Sequence, residues 1–92
     1  MYKAIQDALG KGWSFEYKDG TLYIKKPELK GYLFELRLYE HAMDTVYTLK
    51  HYKAGDKIRW VVSYRQRLQL PAIVDLIGST AETTVTRLEY AE

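Results

Sequence analysis

The sequence predicts an α+β domain: a five-stranded antiparallel meander covered on one face by an N-terminal helix and a C-terminal helical segment. Three observations carry this expectation. Apolar residues alternate with polar ones through most of residues 13–64, an Asp19-Gly20 pair supplies a two-residue hairpin turn, and both ends of the chain carry apolar residues at helical spacing. With 92 residues, the chain is expected to form a single domain spanning 1–92, since chains divide only well above this size. There is no cysteine, so disulfides and thiolate metal sites are excluded and packing alone must hold the fold.

Tyr2, Ile5 and Leu9 fall on one side of a helix over 2–9, with Gly10 or Gly12 as its stop. Trp13, Phe15 and Tyr17 then alternate with Ser14, Glu16 and Lys18 before the Asp19-Gly20 turn, and Leu22 and Ile24 continue the apolar face on the return strand. Pro27 through Gly31 reads as a loop. Phe34, Leu36 and Leu38 mark a third strand, Tyr47 and Leu49 a fourth, and Ile58, Trp60, Val62 and Tyr64 a fifth.

Register follows from the demand that one face stay apolar, because a slip of one residue turns a whole strand over. Pairing Tyr17 with Leu22, Leu22 with Leu36, Leu36 with Tyr47 and Tyr47 with Val62 meets that demand, with connections at 19–20, 27–31, 40–43 and 53–56. The expected inner face then includes Trp13, Phe15, Tyr17, Leu22, Ile24, Phe34, Leu36, Tyr47, Leu49, His51, Ile58, Trp60 and Val62, with Lys26 at its rim. Beyond it, Leu70, Ile73, Val74 and Ile77 predict a helix over 71–77, with Pro71 in its first turn and Gly78 as its stop. Residues 80–91 have two readings. Ser79 and Glu82 resemble a capping box ahead of Ala81, Val85 and Leu88, whereas Thr84, Thr86, Leu88 and Tyr90 alternate as in a strand.

Charge is distributed unevenly. Seven cations and seven anions cancel over residues 1–49; residues 50–67 carry six cations against Asp56, and the remainder carries Arg87 against four carboxylates. No stretch approaches the roughly 20 apolar residues of a bilayer crossing, and the first residues lack a signal-peptide layout, so a cytoplasmic protein without a membrane partner is expected.

Catalytic signatures are missing from the sequence. It has no Gly-x-Ser-x-Gly elbow and no His-Glu-x-x-His pair, and Gly10-Lys11-Gly12 follows a helix, where it reads as a stop and not as a phosphate cradle. His41 and His51 are expected roughly 25 Å apart, at about 3.3 Å per strand step, too far to share a metal. Glu40, His41 and Asp44 offer only a loop cluster, and His51 reads as a hydrogen-bonded histidine of the inner face. Glu16 and Glu35 flank Tyr23 at a backbone separation of about 9.6 Å, the spacing of an inverting glycosidase pair, but on an open face without a cleft. The expectation is therefore a protein that is not an enzyme and has no cofactor and no metal.

The outer face of the sheet is the candidate site. The alignment places Lys50 opposite Arg59, with Lys25 extending the row, Tyr52 at its end paired with Lys57, and Tyr23 one row away. Opposed cations in one cross-strand pair are unfavourable, so an anion bridging them would relieve the repulsion. Leu33, Val46 and Val61 add apolar surface where antiparallel sheets are usually polar. The candidate binding residues are thus Lys25, Leu33, Lys50, Tyr52, Arg59, Val61 and Tyr23. They predict a non-enzymatic protein-binding or self-associating module, its partner another protein or a second copy. The alternative is a single-stranded nucleic-acid binder using cations and aromatic rings together. The isoelectric point near 8.8 is low for the latter class, whose domains usually exceed about 9.

Overall fold

A computed structural model describes residues 2–54 and 61–90. Helix α1 spans Tyr2–Leu9 and ends where Gly10 turns to φ +79°, its amide still bonded to the Gln6 carbonyl at 3.1 Å. Strands β1 (Ser14–Lys18) and β2 (Thr21–Lys25) are joined by Asp19 and Gly20 at φ +52° and +78°, the paired positive dihedrals that match strand twist. A 3-10 turn at Pro27–Leu29 leads to β3 (Tyr32–His41), then β4 (Asp44–Lys53), β5 (Val61–Arg67) and helix α2 (Leu70–Tyr90). The five strands form one antiparallel sheet in chain order, an α+β architecture with both helices on one face.

The expected pairings of β1 with β2 and of β2 with β3 are present: Tyr17 faces Leu22, and Leu22 faces Leu36. The next two are displaced. Leu36 faces Leu49, two residues from the expected Tyr47, because β3 and β4 are joined by the two-residue turn Ala42–Met43 and not by a four-residue loop. Ala42 accepts φ +55°, a cost of about 1 kcal/mol for a residue with a Cβ. The tighter turn extends the ladder by the pairs Glu40–Thr45 and His41–Asp44. Tyr47 faces Gln66, four residues from the expected Val62, so that β5 runs alongside β4 as far as a Leu68 amide bond to the Thr45 carbonyl at 2.8 Å. Ile58, Arg59 and Trp60, expected in this strand, lie outside the described residues.

Both displacements are even, so side chains keep their faces. Leu22, Ile24, Phe34 and Leu36 are fully buried on the inner face with Leu49, and Ile5, Leu29, Ile73, Ile77 and Ala81 cover them. Tyr17 departs from expectation: on the edge strand it is 61% exposed, its ring tilted against Tyr2 at 5.2 Å. Tyr2 also mends the sheet. Its hydroxyl donates to the Gly20 carbonyl at 2.9 Å and accepts from the Leu38 amide at 3.1 Å. Gly20 and Leu38 are the next rung of the β2–β3 register, which the hairpin turn pulls apart, so α1 closes that rung through a side chain.

Helix α2 is continuous through Gly78 and residues 79–90, which removes the expected stop at Gly78, the capping box at Ser79 and the strand reading of 80–90. The apolar face decides the outcome. Ile73, Ile77, Ala81 and Thr84 recur at spacings of four, four and three, and all four are buried. The β-branched threonines are accommodated by turning their hydroxyls back onto the preceding turn: Thr83 donates to the Ser79 carbonyl at 3.0 Å, Thr84 to Thr80 at 2.8 Å and Thr86 to Glu82 at 2.9 Å.

Candidate binding face

His51, expected as a hydrogen-bonded inner-face histidine, is 2% exposed and stacked between Tyr32 and Phe34, whose ring centroids lie 5.6 Å and 4.4 Å away. Its Nε2 lies 3.0 Å from the Thr84 Oγ1. That hydroxyl also bonds the Thr80 carbonyl at 2.8 Å, so the ring, the hydroxyl and the helix backbone form one hydrogen-bonded chain. Burial holds the ring's pKa below the ordinary histidine value, partly countered by a backbone hydrogen bond at Leu33. A neutral histidine linking β4 to α2 is a structural fastening. Thr84, its partner, was hidden in the segment whose sequence pattern was divided between helix and strand.

The outer face is built by strand parity. Glu16, Tyr23, Glu35, Lys50 and Ser63 form one continuous cross-strand row. Lys50 therefore has Glu35 on one side and Ser63 on the other; it does not oppose Arg59, and the repulsive pair that suggested a bridging anion is replaced by an attractive one. Glu35 also accepts a hydrogen bond from the half-buried Tyr23 phenol. Desolvation first, then the Glu35 carboxylate and this hydrogen bond, push the phenol's pKa above the usual tyrosine value, with Asp19 and Glu16 adding to the shift.

The other expected site residues are distributed as follows. Leu33, half-buried, faces Tyr52, which in turn faces Val61 across the β4–β5 pair. Tyr52 is only 8% exposed, so the ring expected as a free stacking surface is enclosed. Its expected partner Lys57 and the site residue Arg59 both lie outside the described residues. Lys25 is exposed and borders a shallow depression of about 450 Å³ with Tyr23 and Leu33. The structure thus joins Leu33, Tyr52 and Val61 in one row and Tyr23 with Lys50 through Glu35 in the next.

One outer row, expected to run from Lys18, Thr21 and Arg37 into Val46 and Ser63, continues instead into Thr48 and Arg65. Lys18 faces Thr21, Thr21 faces Arg37, Arg37 faces Thr48, and Thr48 faces Arg65, giving three exposed cations on alternate strands with threonines between them. The displaced register of β4 brings Thr48 beside Arg37 and that of β5 brings Arg65 beside Thr48, and no glycine marks the Ala42–Met43 turn that sets the first of these. Tyr39 flanks the row, 42% exposed, with the Arg37 guanidinium 5.8 Å from its ring centre. Farther along, Arg67 is held by Asp44 at 2.9 Å. Across the outer-facing strand positions the cations Lys18, Lys25, Arg37, Lys50, Arg65 and Arg67 outnumber the carboxylates Glu16, Glu35 and Asp44 by six to three.

Among the described residues, no group of three histidine, aspartate or glutamate side chains is arranged to hold a metal ion, and no helix is long and apolar enough to cross a membrane. No protein-family model, curated protein or solved structure matches this chain.

Proposed function

We propose that the protein is a non-enzymatic module that associates with other protein chains, copies of itself included, through the outer face of its sheet. One observation carries the reading. Both helices pack on the inner face, while the outer face presents half-buried Tyr23, Leu33 and Val46 among exposed cations. Antiparallel sheets that face only water are usually more uniformly polar, and mixed apolar and charged surfaces suit protein contacts. The Glu16 carboxylate lies in the open on this face, and the half-buried Glu35 is engaged by Tyr23 and flanked by Lys50, an arrangement suited to recognition and not to proton transfer. The rival reading, single-stranded nucleic acid, loses two of its intended elements in the Lys50–Arg59 pair and the free Tyr52 ring.

Amide chemical shifts recorded over a dilution series distinguish the two. Concentration-dependent shifts centred on Tyr23, Leu33, Arg37, Val46 and Lys50 are expected. Shifts that ignore dilution but follow addition of an oligothymidylate at low salt would transfer the face to nucleic acid.

A further inference from the structure

The outer-face row pairs with a second pattern on the far side of the molecule. Asp75, Glu82 and Glu89 are exposed on α2 and separated by seven residues each. At 1.5 Å per residue the interval is about 10.5 Å, and the stripe drifts only about 20° per seven residues, so the three carboxylates stay on one side of the helix. That side is turned away from the buried positions Ile73, Ile77, Ala81 and Thr84. Arg87, the helix's one cation, projects roughly 140° from Glu82 at about 100° per residue. The short side chains of Ser79 and Thr86 lie between the carboxylates and leave room for approach, and the stripe borders an open depression of about 790 Å³.

On the sheet, Lys18, Arg37 and Arg65 occupy alternate strands, an interval of about 9.6 Å at an interstrand spacing of about 4.8 Å. The two intervals agree to within about 1 Å. Among the described residues none of these six charged groups makes an ion pair, whereas the neighbouring Arg67 is paired with Asp44. Arg37 rests over the Tyr39 ring and the other five groups are exposed, which places three cations on one surface and three carboxylates on the opposite one at matching spacing.

Resting on the proposed use of the outer face, we infer that its occupant is a second copy of this chain, whose α2 lies across the strands with Asp75, Glu82 and Glu89 against the row Lys18, Arg37 and Arg65. The two surfaces lie on opposite sides of the domain, so the contact is head-to-tail and propagates instead of closing into a two-fold dimer. Solvent-exposed ion pairs are individually weak and strongly screened, which makes the association weak and salt-sensitive.

Sedimentation of the full chain at low salt, at concentrations on the order of 1 mM where weak contacts are populated, tests the inference. The wild type is expected to rise above its 10.8 kDa monomer mass with concentration, without a plateau at the dimer, and to return to the monomer when salt is raised. Arg37→Glu and Glu82→Arg are each expected to remain monomeric alone and to associate when mixed, because each retains the surface that the other has lost. A wild type that is monomeric throughout overturns the second-copy occupant and leaves the outer face available to a foreign protein. Association abolished by Arg37→Glu but indifferent to Glu82→Arg keeps the face and removes the helix as occupant. Association indifferent to both substitutions overturns this inference and the proposed use of the face together. Circular dichroism of both variants guards against loss of fold, which neither exposed position should cause.

Discussion

The two faces of this sheet are made by the same five strands, yet they respond differently to a change of register. Displacing β4 by two residues and β5 by four leaves the inner face apolar, because even displacements return each side chain to its own side. Phe34 meets His51 in place of Leu49, and the core remains closed by α1 and α2. The outer face has no such tolerance. Moving the same strands by the same steps replaces a Lys50–Arg59 pair with Glu35–Lys50–Ser63 and assembles the row from Lys18 to Arg65. Hydrophobic burial is non-directional and indifferent to which apolar neighbour is met, whereas a charge constellation depends on the identity of each neighbour.

The contrast is sharpest in stability. Phe34→Ala removes a fully buried ring and is expected to cost about 3–5 kcal/mol, a large part of the stability of a domain this size, whereas Lys50→Ala should stay within about 0.5 kcal/mol. Denaturant titration of the two variants measures this difference, and comparable losses would erase the distinction between the faces.

The cover of the inner face offers a test of opposite sign. A Cβ at Gly78 meets nothing within 4 Å, and the residue is interior to α2, so Gly78→Ala should stabilise the protein by about 0.5–1 kcal/mol. A lowered melting temperature would mean that the helix breaks there and that residues 79–90 cover the sheet differently.

The smallest expected effect is on pH dependence. Burial depresses the His51 pKa in the folded state, so below its ordinary value near 6.5 the unfolded chain takes up a proton that the folded chain refuses. That contribution to stability is complete above about pH 7 and declines as the pH falls toward the folded-state pKa. The melting temperature of the wild type should therefore fall more between pH 7.5 and 5.5 than that of His51→Gln; parallel profiles would contradict a buried neutral imidazole.

The parts of the fold legible in the sequence are those fixed by neighbours along the chain. The Asp19-Gly20 turn sets the β1–β2 register through local dihedral preference, and α1 is bounded by Gly10 for the same kind of reason. The turn at Ala42–Met43 lacks glycine at the position that adopts φ +55°, so nothing local announced it, and the site residues that depended on it were misaligned. The path of α2 through Gly78 was equally unannounced. Glycine, serine and four threonines oppose a helix locally, and only the burial of Ile73, Ile77, Ala81 and Thr84 against the sheet outweighs them.

By itself the amino-acid pattern determined the class of fold, the order of the strands and which side of each strand faces inward, because alternation with a period of two is a property of the chain alone. The tertiary structure decided which residues stand beside one another on the outside. That choice is made by the number of rungs each hairpin gains and by the fit of α2 to the inner face, terms that exist only once distant segments have met.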